Sequence, residues 1–158
     1  MSANVHRLEE SSVSADRRPP PPQRHPPNPR APSPIRKAVP PLVLVADDNN
    51  RVRGAVASIL GHIGYRVAVA ADGEQALRLA RGLEPSLLVL DVNMPGLDGL
   101  EVVRRVRESE TIGRTPIVVM SAYEVKRNLE AGAAAYLLKP FRVQELLDSL
   151  AALLPRST

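Results

Sequence analysis

Residues 87–99 read LLVLDVNMPGLDG, and their pattern is the strongest indication of the fold of the chain. Leu87–Leu90 is a continuous apolar run that lacks period-2 alternation, and it ends at Asp91. Such a run is typical of a short strand that is buried on both faces, as in a parallel sheet. Pro95-Gly96 then predicts a turn, and a helical pattern follows over Gly99–Arg107. The stretch therefore predicts a buried strand, a turn and a helix.

The same alternation of strand and helix patterns extends over the rest of the chain on both sides of this stretch. The strand patterns are Leu42–Ala46, Arg66–Ala70, Leu87–Leu90, Ile117–Met120 and Ala135–Leu138. The helical patterns are Val52–Ile63, Gly73–Gly82, Gly99–Arg107, Tyr123–Ala131 and Arg142–Leu154. The strands at 66–70 and 135–138 are less purely apolar, so we expect them nearer the edges of the sheet. Five successive β-α units predict an α/β fold with a doubly wound, five-stranded parallel sheet.

The first 40 residues differ from the remainder in composition. They hold 10 of the 16 prolines, none of the 9 glycines, and seven basic against three acidic side chains. We interpret residues 1–40 as a disordered Pro/Arg-rich arm, because so few apolar side chains cannot offset the cost of ordering the backbone. Pro19–Arg24 matches a PxxPxR docking pattern, but such a match is expected by chance in so Pro-rich a segment, so we interpret it as a plain linker with a docking segment as the alternative. Residues 41–158 form the predicted domain.

Charge and composition exclude several classes of protein. The arm carries a net charge of +4, equal to that of the whole chain, so residues 41–158 are neutral overall. This argues against a nucleic-acid-binding domain. No apolar run approaches the ~20 residues of a membrane span, and no secretory signal is apparent. Without cysteine there is no disulfide or thiolate chemistry. We expect a soluble, cytoplasmic protein with no membrane insertion.

Polar side chains follow four of the five predicted strands at the point where each ends. Asp47 and Asp48 follow the first strand, Asp91 the third, Ser121 the fourth and Lys139 the fifth. Any single aspartate in such a position is more often a helix cap. Because the carboxyl ends of parallel strands meet at one edge of the sheet, the full set predicts a binding site there.

Three carboxylates, a hydroxyl and an ammonium group suit one kind of chemistry. Crowded carboxylates repel one another, and a hard divalent cation such as Mg²⁺ removes that repulsion. Zinc is disfavoured, because residues 41–158 contain no cysteine and a single histidine. An aspartate beside Mg²⁺, with a hydroxyl and a lysine at hand, can accept a phosphoryl group. The sequence therefore predicts a phosphoryl-transfer site with Mg²⁺ as its cofactor.

These residues lie in motifs that resemble one family, the response-regulator receiver domains of bacterial two-component signalling. The motifs are Val45–Asp48, Leu90–Gly99, Met120–Ala122 and Ala135–Phe141, in order and each at a strand end. The resemblance covers nearly all of residues 41–155. It implies the flavodoxin-like strand order 2-1-3-4-5 and a cis bond between Lys139 and Pro140.

The resemblance also implies a role for each site residue. Asp91 would be the phosphoacceptor, with Ser121 and Lys139 contacting the phosphoryl group. The Mg²⁺ ligands would be Asp48 and Asp91 directly, Asp47 largely through water, and the backbone carbonyl of Asn93. Tyr136 would be the switch residue that responds with Ser121, although a half-buried strand aromatic is an alternative interpretation. Asn93 and Tyr123 would tune the lifetime of the phosphoryl group.

The implied function is a phosphoacceptor switch in a phosphorelay, and not an enzyme that turns over an external substrate. A histidine kinase or a phosphotransfer protein would donate the phosphoryl group. The chain ends at Thr158, so we expect a stand-alone receiver that acts on an unknown downstream protein by contact and does not bind nucleic acid. The helix over Tyr123–Ala131 is about one turn shorter than is usual in the family.

Two other functions compete with this one. An Asp-based phosphohydrolase needs an acid/base aspartate two residues after the nucleophile, and Asn93 stands there. A receiver-like interaction module that works without phosphorylation is the alternative, favoured by the short helix and opposed by the intact set of site residues.

Overall fold

The structure is a computed structural model that describes residues 38–123 and 131–154. Within these ranges the chain forms five strands and four helices, and a described helix follows each strand except the fourth. The strands are β1 (Leu42–Ala46), β2 (Arg66–Ala70), β3 (Leu87–Asp91), β4 (Ile117–Ser121) and β5 (Ala135–Leu138). The helices are α1 (Asn50–His62), α2 (Gly73–Leu83), α3 (Gly99–Arg107) and α4 (Val143–Leu153).

The five strands form one parallel sheet in the order β2-β1-β3-β4-β5. The predicted doubly wound α/β fold and its flavodoxin-like order are therefore confirmed. The two less apolar strands, β2 and β5, lie at the edges, whereas every residue of β3 and β4 is buried. An edge strand has a neighbouring strand on one side only, so more of it is open to solvent, which explains its mixed composition.

Helices cover both faces of the sheet and divide the core into two layers. Along β1, Leu44 and Ala46 face the layer that contains α2 and α3. Val43 and Val45 face the opposite layer, which contains α1 and α4. This division follows from the period of two residues along a strand, which sends successive side chains to opposite faces.

Local sequence signals set the helix ends. Asn49 caps α1 by accepting hydrogen bonds from the backbone N–H groups of Arg51 and Val52 at 3.0 and 3.3 Å. Asp98 caps α3 in the same way through Glu101. Gly64, at a φ of 104°, stops α1 as the sequence predicts. Ile63 departs from the predicted apolar stripe: it is 48% exposed, because the helix has already ended at His62.

Gly99 lets α3 begin directly against the end of β3. A Cβ atom at this position would collide with the backbone carbonyl oxygen of Asp91. The Gly99 N–H also donates to the carbonyl of Val92 at 3.0 Å. A residue without a side chain is required for so close an approach. The start of α3 is therefore packed onto the strand end that carries Asp91.

Arg107, the last residue of α3, ties together three separate pieces of backbone. Its guanidinium donates to the carbonyls of Gly132 at 2.9 Å, Gly113 at 3.0 Å and Thr115 at 2.7 Å. Burial lowers the pKa of Arg107, and these bonds offset the cost of desolvating its charge. The side chain thus joins the end of α3 to the segments that lead into β4 and β5.

Some predictions fall on residues outside the described ranges. Most of the arm predicted over residues 1–40 lies within 1–37, and most of the helix predicted over Tyr123–Ala131 lies within 124–130, so both stay predictions. The bond between Lys139 and Pro140 is cis, as the resemblance implies. Among the described helices, none combines the length and the apolar character needed to cross a bilayer.

A pair of glycine substitutions tests the close packing of α3. Gly99→Ala should lower the free energy of unfolding by about 1–3 kcal/mol, because the new methyl group forces α3 away from the Asp91 carbonyl. Gly54→Ala is the matched control in α1, where a Cβ atom meets nothing within 4 Å. It should raise stability by about 0.5–1 kcal/mol, as expected for glycine replaced within a helix. Urea unfolding of both variants measures the two effects, and equal effects would contradict this account of Gly99.

Candidate functional site

The carboxyl ends of the strands carry the polar residues that the sequence singles out. Asp47 follows β1 directly, Asp91 is the last residue of β3, and Ser121 is the last residue of β4. Lys139 follows β5, and its backbone N–H donates to the Ser121 carbonyl at 2.7 Å. Because the strands are parallel and in neighbouring positions, their ends meet at one edge of the sheet.

Asp47 is fully buried and bonded at each of its carboxylate oxygens. Its Oδ1 accepts a hydrogen bond from the Asn49 N–H at 2.9 Å, and its Oδ2 accepts one from the Lys139 Nζ at 2.9 Å. Its backbone carbonyl accepts a third bond, from Arg53 Nη1, at 2.7 Å. This buried carboxylate is therefore held in one orientation by partners from α1 and from the segment after β5.

Lys139 also binds Asp91, with 3.1 Å between Nζ and Oδ1. Asp91 is 4% exposed, and burial raises the pKa of its carboxyl. The bond and positive charge of Lys139 and the backbone N–H of Asn93 lower this pKa, whereas the charge of Asp47 raises it. Burial lowers the pKa of Lys139, but its bonds to the two carboxylates outweigh burial and raise that pKa. Lys139 thus serves as the shared counter-ion of two buried acids.

Asp48 completes a cluster of three carboxylates. It is exposed, and one oxygen of each of Asp47, Asp48 and Asp91 lies within 4.8 Å of the others. An Mg²⁺ ion with bonds of about 2.1 Å spans roughly 4.2 Å between opposite ligands. The cluster therefore fits a hard divalent cation, because its donors are oxygens at a suitable spacing and one carboxylate, that of Asp48, is exposed.

The Ser121 hydroxyl is bonded within its own loop. The side chain is buried, and its Oγ donates to the Tyr123 carbonyl at 2.8 Å and accepts from the Tyr123 N–H at 3.1 Å. In the register of β3 and β4, Asp91 pairs with Met120, so Ser121 lies one residue further along the neighbouring strand. Its hydroxyl donates to the Tyr123 carbonyl. The acids and the lysine are joined by hydrogen bonds, and Ser121 is linked to them through the backbone alone.

The other predicted site residues lie around this centre. Asn93 is exposed, two residues after Asp91, and its backbone N–H bonds the Asp91 carboxylate. Tyr123 is 72% exposed and is fixed through its backbone by Ser121. Tyr136 lies opposite Val119 in the sheet and is 41% exposed, so its ring is at the surface next to β4.

One residue of this site was missed by the sequence analysis. Arg53 lies in the first turn of α1, where helical periodicity indicates a solvated charged face. Its bond to the Asp47 carbonyl gives it a second neighbour, the end of β1. Its position in the sequence could have indicated this role, since α1 starts at the same sheet edge as the three carboxylates.

Comparisons with known proteins agree with this geometry. Residues 43–151 match the family model described as the response regulator receiver domain. The response regulator MprA of Mycolicibacterium vanbaalenii is 44% identical over 124 residues, covering 76% of this chain and 53% of that protein. The chain therefore spans about half the length of the curated relatives that it matches.

Solved structures show the same fold. The chemotaxis protein CheY4 of Vibrio cholerae has a TM-score of 0.69 and 34% identity, over 73% of this chain and 99% of that one. The receiver domain of the sensor histidine kinase PA1611 from Pseudomonas aeruginosa PAO1 has a TM-score of 0.68 and 32% identity, over 72% and 97% of the two chains. That domain holds a magnesium ion in its active site cleft.

One family accounts for the sequence motifs, the strand order, the acidic edge of the sheet and the matched family model. This chain belongs to the response regulator receiver domain family of two-component signalling.

Proposed function

We propose that this receiver domain is a phosphoacceptor switch that is phosphorylated on Asp91 and signals through protein contacts. The observation that carries the proposal is the position of Asp91, buried at a strand end with Lys139 bonded to it and two further carboxylates beside it. A histidine kinase or a phosphotransfer protein is the proposed donor. The unknown downstream protein, the cytoplasmic location and the lack of nucleic-acid contact stay predictions.

In the proposed transfer an Asp91 carboxylate oxygen attacks the phosphorus of a phosphohistidine. The new bond joins that oxygen to phosphorus, the phosphorus–nitrogen bond breaks, and the imidazole leaves with the electron pair and takes up a proton. Lys139 and its bond to Asp91 oppose the effect of burial and favour the ionised nucleophile. After transfer the same ammonium can bind a phosphoryl oxygen. The domain would thus catalyse its own phosphorylation and dephosphorylation.

The three carboxylates and the Asn93 carbonyl are the proposed ligands of Mg²⁺, with Asp47 acting largely through water. A bound Mg²⁺ supplies positive charge that offsets the repulsion among the acids and the charge on the phosphoryl oxygens. Each Asp47 carboxylate oxygen already accepts one hydrogen bond, from Asn49 or from Lys139, which supports an indirect role for it. Asp48 is exposed, which supports direct access to an ion.

Intact-mass measurement after incubation with acetyl phosphate and Mg²⁺ tests the phosphoacceptor. Wild type should gain one phosphoryl group, and Asp91→Asn should gain none because an amide is not a nucleophile of this kind. Asp98→Asn is the matched control in the same loop, since its helix-capping role tolerates asparagine. A wild type that gains no mass from acetyl phosphate or from kinase would favour an interaction module instead.

Ser121→Ala tests the proposed switch. The single hydroxyl proton of Ser121 bonds the Tyr123 carbonyl, so binding a phosphoryl oxygen must break that bond. In wild type we expect this change to shift the equilibrium between two conformations of the surface that contains Tyr136 and Arg142. Ser121→Ala should still accept a phosphoryl group, but with weaker chemical-shift changes at both residues.

Ser109→Ala, at a partly buried serine in the segment between α3 and β4, is the control for that experiment. It should respond as wild type does. If phosphorylated Ser121→Ala gave wild-type changes at Tyr136 and Arg142, the proposed coupling would be wrong.

The lifetime of the phosphoryl group tests Tyr123. Hydrolysis needs a water in line with the leaving carboxylate oxygen. Ser121 fixes the Tyr123 backbone at the sheet edge that carries Asp91, and the proposal is that the exposed ring obstructs this water. Asn93 cannot act as a base near neutral pH, so we expect slow self-dephosphorylation. Tyr123→Ala or Tyr123→Glu should speed loss of the group by about two- to tenfold, within the range of positioning effects. Tyr123→Phe keeps the ring and should decay as wild type, whereas equal rates for wild type and Tyr123→Ala would exclude the ring. Mg²⁺ affinity should stay unchanged throughout.

A further inference from the structure

The turn between β1 and α1 carries two of the three clustered carboxylates, and hydrogen bonds fix it on several sides. The Asp47 N–H donates to the Ala70 carbonyl at 3.2 Å, which continues the pairing with β2. The Asn49 N–H donates to Asp47 Oδ1 at 2.9 Å. The shortest bond of this turn runs from Arg53 Nη1 to the Asp47 carbonyl, at 2.7 Å.

Arg53 makes this last bond from a helix that is fixed in position. Its helix, α1, is capped by Asn49 and packed onto the sheet through the buried side chains of Val56 and Leu60. The Arg53 side chain is partly buried and reaches back from the first turn of the helix to the end of β1. A guanidinium is a planar donor whose geometry is largely preorganised, so its bond fixes direction as well as distance.

The carbonyl that Arg53 binds belongs to the peptide group between Asp47 and Asp48. Because a peptide group is planar, the direction of the Asp47 carbonyl also sets the direction in which Asp48 leaves the strand. Asp47 is fully buried and Asp48 is exposed, so the chain turns from the core to the surface at this peptide. A rotation here would move the exposed carboxylate away from Asp91.

We propose that Arg53 is a positioning residue of the carboxylate cluster, which holds the peptide between Asp47 and Asp48 so that the Asp48 carboxylate faces Asp91. The proposal rests on the proposed function, since it assigns Arg53 to the site where Mg²⁺ would bind.

Charge and position act in opposite directions on cation affinity, and this makes the role of Arg53 testable. A guanidinium near the cluster repels a divalent cation, so its loss through charge alone would strengthen Mg²⁺ binding. Loss of the hydrogen bond releases the peptide and spreads the carboxylates, which weakens binding. The sign of the change therefore separates a positioning residue from a nearby charge.

The experiment is a calorimetric titration of the full chain with Mg²⁺ alone, without any phosphodonor. Arg53→Met should weaken Mg²⁺ binding by about fivefold, the equivalent of roughly one ordinary hydrogen bond. Arg51→Met is the matched control, because Arg51 is exposed in the same helical turn and its loss removes the same charge. It should leave binding unchanged or make it tighter. Arg53→Lys, which can still donate to the carbonyl, should recover part of the affinity.

Wild-type or tighter binding by Arg53→Met would overturn the proposal. Amide exchange at Asn49, whose N–H bonds Asp47, gives a second measurement that needs no ion. Exchange should be faster in Arg53→Met than in wild type and Arg51→Met, and equal rates would again overturn the proposal. If wild type itself did not bind Mg²⁺, the proposed function would fail, and the exchange rates would still decide the role of Arg53.

Discussion

The bridge that Lys139 makes between Asp47 and Asp91 is the interaction on which the site depends. Two carboxylates about 4 Å apart repel by roughly 4 kcal/mol at an effective dielectric constant near 20. Burial raises the cost further, because neither acid can be screened by water. The ammonium group offsets both, at 2.9 and 3.1 Å from the two acids. The order of the strands determines how it can do so: β4 separates β5 from β3, so only a long side chain reaches both acids across the sheet edge.

The groups at this edge differ in how many partners each one has. Asp47 is bonded by Asn49, Lys139 and Arg53 at once, and so has little freedom to turn. The Ser121 hydroxyl has one proton and, in this structure, gives it to the Tyr123 carbonyl. A group whose one donated hydrogen bond can be exchanged for another is suited to respond to a change, whereas a group held by several partners is suited to keep its position. The edge of the sheet combines both kinds.

Much of this could be predicted from sequence, because strand period and strand ends are local signals. The continuous apolar runs predicted β3 and β4, and the first polar residue after each run predicted the strand ends that carry Asp91 and Ser121. The roles of Arg53 and Arg107 could not be predicted in this way, since their partners are backbone carbonyls. Every residue has a backbone carbonyl, so the sequence does not indicate which one an arginine binds. The hydrogen-bond partner of the Ser121 hydroxyl could not be predicted from sequence either, because rotation of the side chain determines which acceptor the hydroxyl meets. Sequence thus predicted which side chains meet, and the structure adds which backbone atoms hold them.

The bonds of Arg107 have a consequence for protein engineering. The carbonyls of Gly113 and Thr115 lie in the loop between α3 and β4, and their bonds to Arg107 tie the conformation of that loop to the start of β5. A loop of this kind resists insertions although it lies at the surface. The turn at Gly64 is different, because the backbone N–H groups of Gly64 and Tyr65 donate to Gly61 and Leu60 of the preceding helix, so these bonds stay local. A fused reporter or a circularly permuted terminus is therefore better accommodated between α1 and β2 than between α3 and β4.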